Sequence, residues 1–146
     1  MSNTEYRMLN IEYRTLNTEY PMRDEEKKFD LEDRLIKFAV MVANLTETLP
    51  ETMFGRYISG QIVRSGCSPA LNYGEAQSAE SRNDFIHKMK ICLKELRETL
   101  VSLKIIQLKL LSTRADLLST AMQECNELIS IFVKSIQTSE KRKLTK

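Results

Sequence analysis

The chain has no tryptophan, one histidine, three cysteines, three prolines and four glycines among 146 residues. Each scarcity excludes something. All-β folds need turn residues at close intervals, so this little glycine and proline favours helices over sheets. His87 and three scattered cysteines cannot build a histidine-rich metal centre or a four-cysteine zinc site within one chain. Long apolar runs are missing too. The longest stretches free of charge, Phe38 to Thr46 and Ser65 to Gly74, fall far short of the roughly 20 apolar residues that cross a bilayer. The N-terminus carries Glu5 and Arg7 and no apolar export segment, and an odd cysteine count suits a reducing compartment. A cytoplasmic protein with no membrane association is expected, with Cys67, Cys92 and Cys125 as small buried residues.

Enzyme chemistry lacks its parts as well. A di-iron bundle needs Glu-x-x-His on two helices, whereas here Asp84 stands three residues before the single His87. Cys92 lies five residues from His87, a spacing that does not share one helical face, so no thiol–imidazole dyad is implied. No glycine-rich phosphate loop of standard spacing occurs. The expectation is a non-enzymatic protein with no cofactor, no metal and no small-molecule substrate. The seven methionines read as gap-fillers, and His87 as a surface or interface residue.

What is present is 42% hydrophobic and 29% charged residues, the balance of one globular domain. The net charge of +2 hides a division: residues 24–80 carry −4 and residues 81–146 carry +6. Such asymmetry either marks a nucleic-acid face or brings acidic and basic helices together within or between subunits.

Residues 3–23 hold three near copies of a heptad, NTEYRML, NIEYRTL and NTEYPMR. Tyr6, Leu9, Tyr13, Leu16 and Tyr20 would form a coiled-coil seam on a helix, but the repeated Asn and Thr are poor helix formers and Pro21 ends the pattern. Residues 1–22 are therefore expected to be a disordered low-complexity leader, with Met22 as an alternative start. The bundle proper should span 23–141, with 142–146 a basic tail.

From Asp24 the period becomes that of amphipathic helices. Leu31, Leu35, Phe38, Val42 and Leu45 step by 4, 3, 4 and 3, with Ile36, Val40 and Ala43 widening the stripe, which predicts a helix over 24–48 stopped by Leu49-Pro50. Ile86, Met89, Leu93, Leu96, Leu100 and Leu103 predict another over 81–110, with Ser81 as cap and Asp84 at the capping-box position. Leu118, Ala121, Cys125, Leu128 and Phe132 predict a last helix over 113–141. The fold class is all-α: an up-and-down antiparallel four-helix bundle. Phe85, Cys92 and Ile106, beside the main stripe of the third helix, suggest surface left over for neighbours.

Residues 51–79 supply the second helix, expected to bend near Pro69 because proline removes the hydrogen bond to the Ser65 carbonyl. Along it, Gln61, Arg64, Ser68, Asn72 and Glu75 step by 3, 4, 4 and 3 and share one face. They read either as a hydrogen-bonded network or interface that fixes helix register, or as a recognition face anchored by Arg64. In the network reading Arg64 meets Glu95 or Glu98, and Glu75 meets a cation of the third or fourth helix.

Several segments then carry a resemblance. Leu49-Pro50, Gln61-Ile62-Val63-Arg64-Ser65-Gly66, Asn72, Glu75-Ala76, Asp84-Phe85-Ile86-His87-Lys88, Leu93-Lys94-Glu95-Leu96 and Glu124-Cys125-Asn126-Glu127-Leu128 resemble the bacterial four helix bundle protein family. That family includes the intervening-sequence proteins encoded within large-subunit ribosomal RNA genes, and is related to the accessory protein of diversity-generating retroelements. The resemblance covers residues 24–141. It implies a homopentameric barrel and, for the retroelement relatives, a basic surface that binds nucleic acid and a reverse transcriptase. Two functions from different classes are thus expected. The first is a homo-oligomeric scaffold or adaptor. The alternative is an accessory protein binding RNA or DNA through Lys88, Lys90, Lys94 and Arg97 together with Lys141, Arg142 and Lys143.

Overall fold

The computed structural model describes the backbone of residues 24–145 and the side chains of residues 31–145. The heptad leader lies outside the described residues. Four helices follow one another: α1 (Asp24–Thr46), α2 (Met53–Gln77), α3 (Arg82–Lys109) and α4 (Ala115–Leu144). Well over two-thirds of the described residues are helical, and none of them is in a strand. The chain is an all-α four-helix bundle. Residues 31–146 form a compact unit of their own.

Local chemistry sets the helix ends. Thr52 caps α2 by accepting the Gly55 N–H, and Ser81 caps α3 by accepting the Asp84 N–H. The reciprocal half of the expected capping box is displaced by one residue: the Asp84 carboxylate accepts from the Glu80 N–H at 3.4 Å. Helix α3 ends with Leu110 in the left-handed region (φ 55°), where its N–H and that of Leu111 reach back to the carbonyls of Gln107 and Ile106. A leucine in that conformation brings its Cβ against the following carbonyl, a cost that glycine escapes. Helix α2 runs unbroken through Pro69. The last helix extends to Leu144, so Lys141, Arg142 and Lys143 form its final turn rather than a separate tail.

Neighbouring helices are antiparallel and close a circuit. Val42 of α1 packs on Gly66 of α2, where a methyl group at residue 66 would come within 2.9 Å of the valine. Ser65 and Pro69 of α2 meet Thr99 and Cys92 of α3. Cys125 of α4 donates to the Leu96 carbonyl of α3, and Arg34 of α1 reaches Glu124 of α4. Helices α1 and α3 are therefore diagonal, as are α2 and α4. Tyr73 and Phe132 cross the second diagonal edge to face, with ring centroids 6.1 Å apart. The core holds Leu35, Phe38, Val42 and Leu45 of α1 with Leu96, Leu103 and Ile106 of α3 and Cys125, Leu128 and Phe132 of α4.

Two expectations about faces are corrected. Cys92 and Ile106 are wholly inside, and Phe85 packs against the core, so none of the three is spare surface. Conversely Ile36 and Val40 do not widen the buried stripe of α1 but stand exposed on its outer face. A helix in a four-helix bundle buries an arc little wider than its main stripe, and residues further round that arc meet solvent or another molecule.

Candidate interaction surface

The seam between α2 and α3 collects the polar stripe foreseen on α2. The Arg64 guanidinium donates to Glu98 at 2.8 Å and to Glu95 at 3.2 Å, and to the Gln61 side chain at 3.5 Å. Its hydrogen bond to Glu98, with the charge of Glu95, raises its affinity for the proton. Arg64 itself is 55% exposed, whereas the Glu95 side chain is only 9% exposed. Further along, Asn72 donates within its own helix to the Ser68 carbonyl and hydroxyl, and Glu75 pairs with Lys88 of α3. Beneath them the Thr99 hydroxyl sits 2.9 Å from both the Ser65 hydroxyl and the Glu95 carbonyl, which satisfies these buried groups. The structure thus joins Arg64 and Glu75 to α3 and Gln61 to Arg64, while Ser68 and Asn72 bond each other.

A second arginine is placed in the same way at the α1–α4 seam. Arg34 holds Glu124 with a two-bond fork, both at 3.0 Å, and reaches Glu127 at 2.9 Å. This clamp was missed from sequence, because a single charge on α1 carries no sign of which partner on another helix it will meet.

Above the α2–α3 seam lies an exposed apolar area. Tyr57 (61% exposed) of α2 neighbours Val101 (57%), Ile105 and Leu108 (89%) of α3, and Phe54 stacks on Tyr57 with centroids 6.4 Å apart. An open depression of about 840 Å³ runs over this area, lined by α2, α3 and Ile136 of α4. Its charged lining is Arg64, Lys90, Lys94 and Arg97 with one acid, Glu98.

The cations proposed for nucleic acid are only partly free. Lys88 is tied to Glu75, Lys90 to Glu140 at 2.6 Å, and Lys94 lies 3.9 Å from Glu98. Among the described residues Arg97, Lys141, Arg142 and Lys143 are exposed and have no carboxylate partner. The two groups lie apart on the chain: the first three cations and Arg97 are on α3, the other three at the end of α4.

Burial pushes the Cys92 and Cys125 thiols up to about 12, so neither is a thiolate nucleophile near neutrality. His87 is exposed on α3. Among the described residues no group of three or more His, Cys, Asp or Glu side chains is placed to hold a metal ion. No described helix is long and apolar enough to cross a membrane.

Antiparallel helices with polar seams and a solvent-facing apolar area place the chain among the all-α four-helix bundles. The model of the 23S rRNA-intervening sequence proteins matches residues 27–134, and the chain belongs to that family. Among solved structures it is similar to a protein of unknown function from the S23 ribosomal protein family of Bacteroides thetaiotaomicron, with 32% identity and a TM-score of 0.65 over 73% of this chain and 97% of that one. No curated protein matches the sequence.

Proposed function

We propose that this protein is a non-enzymatic homo-oligomeric scaffold or adaptor of the cytoplasm, assembled as a pentamer. The observation that carries the reading is the apolar area of Tyr57, Val101, Ile105 and Leu108, which a monomer would leave in water. The core is already complete without these residues, so their exposure is not a by-product of folding. The number five comes from the family resemblance. Light scattering coupled to size exclusion tests the proposal: the expected mass is about five times the 16.9 kDa subunit, held on dilution. A species of one subunit mass at all concentrations overturns it.

A second reading, nucleic-acid binding with a reverse transcriptase partner, is supported by the free cations Arg97, Lys141, Arg142 and Lys143. It ranks second because Lys88 and Lys90 are already matched by carboxylates. Phosphate binding weakens steeply as salt rises, so retention on RNA or DNA measured at several salt concentrations separates the two readings.

A further inference from the structure

The apolar area on α3 has a charge problem that limits what can cover it. Its lining holds four cations, Arg64, Lys90, Lys94 and Arg97, against Glu98; Glu95 and Glu140 beside it bind Arg64 and Lys90, which leaves Lys94 and Arg97 as the exposed positive excess. Two copies meeting through this same area would set Lys94 and Arg97 of one against Lys94 and Arg97 of the other. Like charges brought together at a desolvating interface cost affinity. The partner surface must be apolar along its middle and acidic at its edges.

The chain itself carries such a surface on α1. Asp33, Ile36 and Val40 step by 3 and 4 and so lie along one outward line, and Glu47 stands exposed in the turn just past the end of the helix. Ile36 and Val40 are exposed on it, and Asp33 and Glu47 stand beyond them at either end. Among the described residues Lys37 is the cation beside this line, and it is already paired with Asp33 at 2.7 Å. The contrast holds for whole helices: α1 carries six acids and four bases, α3 three acids and seven bases.

Because α1 and α3 are diagonal in the bundle, their outer faces look in opposite directions. A contact between the α1 ridge of one copy and the α3 area of another cannot be returned by the same pair. It leaves one ridge and one basic area free, and these recruit further copies head to tail until a ring closes. We infer that subunits pair unlike surfaces, the acidic-edged Ile36–Val40 ridge of α1 seating on the basic-rimmed apolar area of α3 in the next copy. This inference rests on the homo-oligomer reading above and names the two surfaces that build it.

Charge reversal on the full chain tests it. Lys94→Glu with Arg97→Glu reverses the rim, and Asp33→Lys with Glu47→Lys reverses the ridge. Each pair alone should weaken assembly about tenfold or more, read as a loss of mass by light scattering at unchanged helical circular dichroism. The chain with all four reversals restores opposite signs across the contact and should regain the parent mass. Assembly of the parent with no response to either pair overturns this inference and leaves the scaffold reading standing. Loss of assembly in the pairs without recovery in the fourfold variant also overturns it, since simple damage to each surface would then suffice. A parent that is monomeric throughout removes both.

Discussion

Two seams of the bundle are closed by the same device, an arginine held by two glutamates one turn apart, and they differ in how far the arginine is covered. At the α1–α4 seam both partners are half-buried, Arg34 29% and Glu124 22% exposed, and the arginine grips Glu124 with both arms of its fork. At the α2–α3 seam Arg64 is open to solvent while Glu95 beneath it is enclosed. A fork on a half-buried pair fixes geometry, whereas a single contact from a solvated arginine chiefly compensates the carboxylate it covers. The first seam therefore adds a two-bond ion pair to its packing. The second is held by packing and by the Ser65–Thr99 contact, with Arg64 neutralising Glu95.

The largest expected effect comes from the core between the helices rather than from either ion pair. Leu96 is wholly buried on α3, between Glu95 of one seam and the Cys125 contact with α4. Leu96→Ala should cost about 2–5 kcal/mol in chemical denaturation, because transfer and cavity terms add. A smaller effect sharpens the contrast. Arg34→Ala should lower stability by about 1 kcal/mol, since the fork is lost and Glu124 keeps no cation. Arg64→Ala should lower the melting temperature of the subunit at least as far, because the enclosed Glu95 carboxylate is left without its cation while Glu124 is more open to water. If Arg64→Ala proves clearly the cheaper of the two, the distinction between the seams fails.

Alkaline pH adds a weaker test. Folding raises the thiols of Cys92 and Cys125 from 9.0 to about 12, so the stability they contribute is complete below pH 9 and is lost as pH climbs towards 12. Iodoacetamide at pH 8 should modify the partly exposed Cys67 first, and reach the other two only on unfolding. The smallest effect is at the α4 start, where Arg114 holds Asp116 at about 2 by hydrogen bonding. That contribution is present above the unfolded value of 3.8 and fades as pH falls through 2. The pair is fully exposed, so Asp116→Asn should barely move the melting curve at neutral pH.

Much of this was legible in the sequence. The 3,4 steps of Leu31–Leu45, Ile86–Leu103 and Leu118–Phe132 place three helices within a few residues of their observed ends. The stripe from Gln61 to Glu75 foretells contacts of Arg64 and Glu75 with α3. Faces were harder to read. Ile36 and Val40 look like core and are not, and Ile106 looks spare and is buried, because hydrophobicity alone does not say how wide an arc a neighbouring helix will cover. The area formed by Tyr57, Val101 and Ile105 was invisible for a further reason. Its members come from two helices, and only antiparallel pairing brings residue 57 to the level of residue 105.

The Thr48 carbonyl accepts the Thr113 N–H at 3.3 Å, and the Thr48 hydroxyl lies 2.7 Å from that of Ser112. Both inter-helix turns at that end of the bundle are thus sewn to one another. The opposite end has the single turn between α2 and α3 and the free last turns of α4. Local opening should therefore have a polarity, with amide protons of residues 138–144 exchanging early and those flanking Thr48 and Thr113 among the late ones. Among the described residues the sewn turns are the fixed point of the bundle, and the last turns of α4 are where the chain yields first.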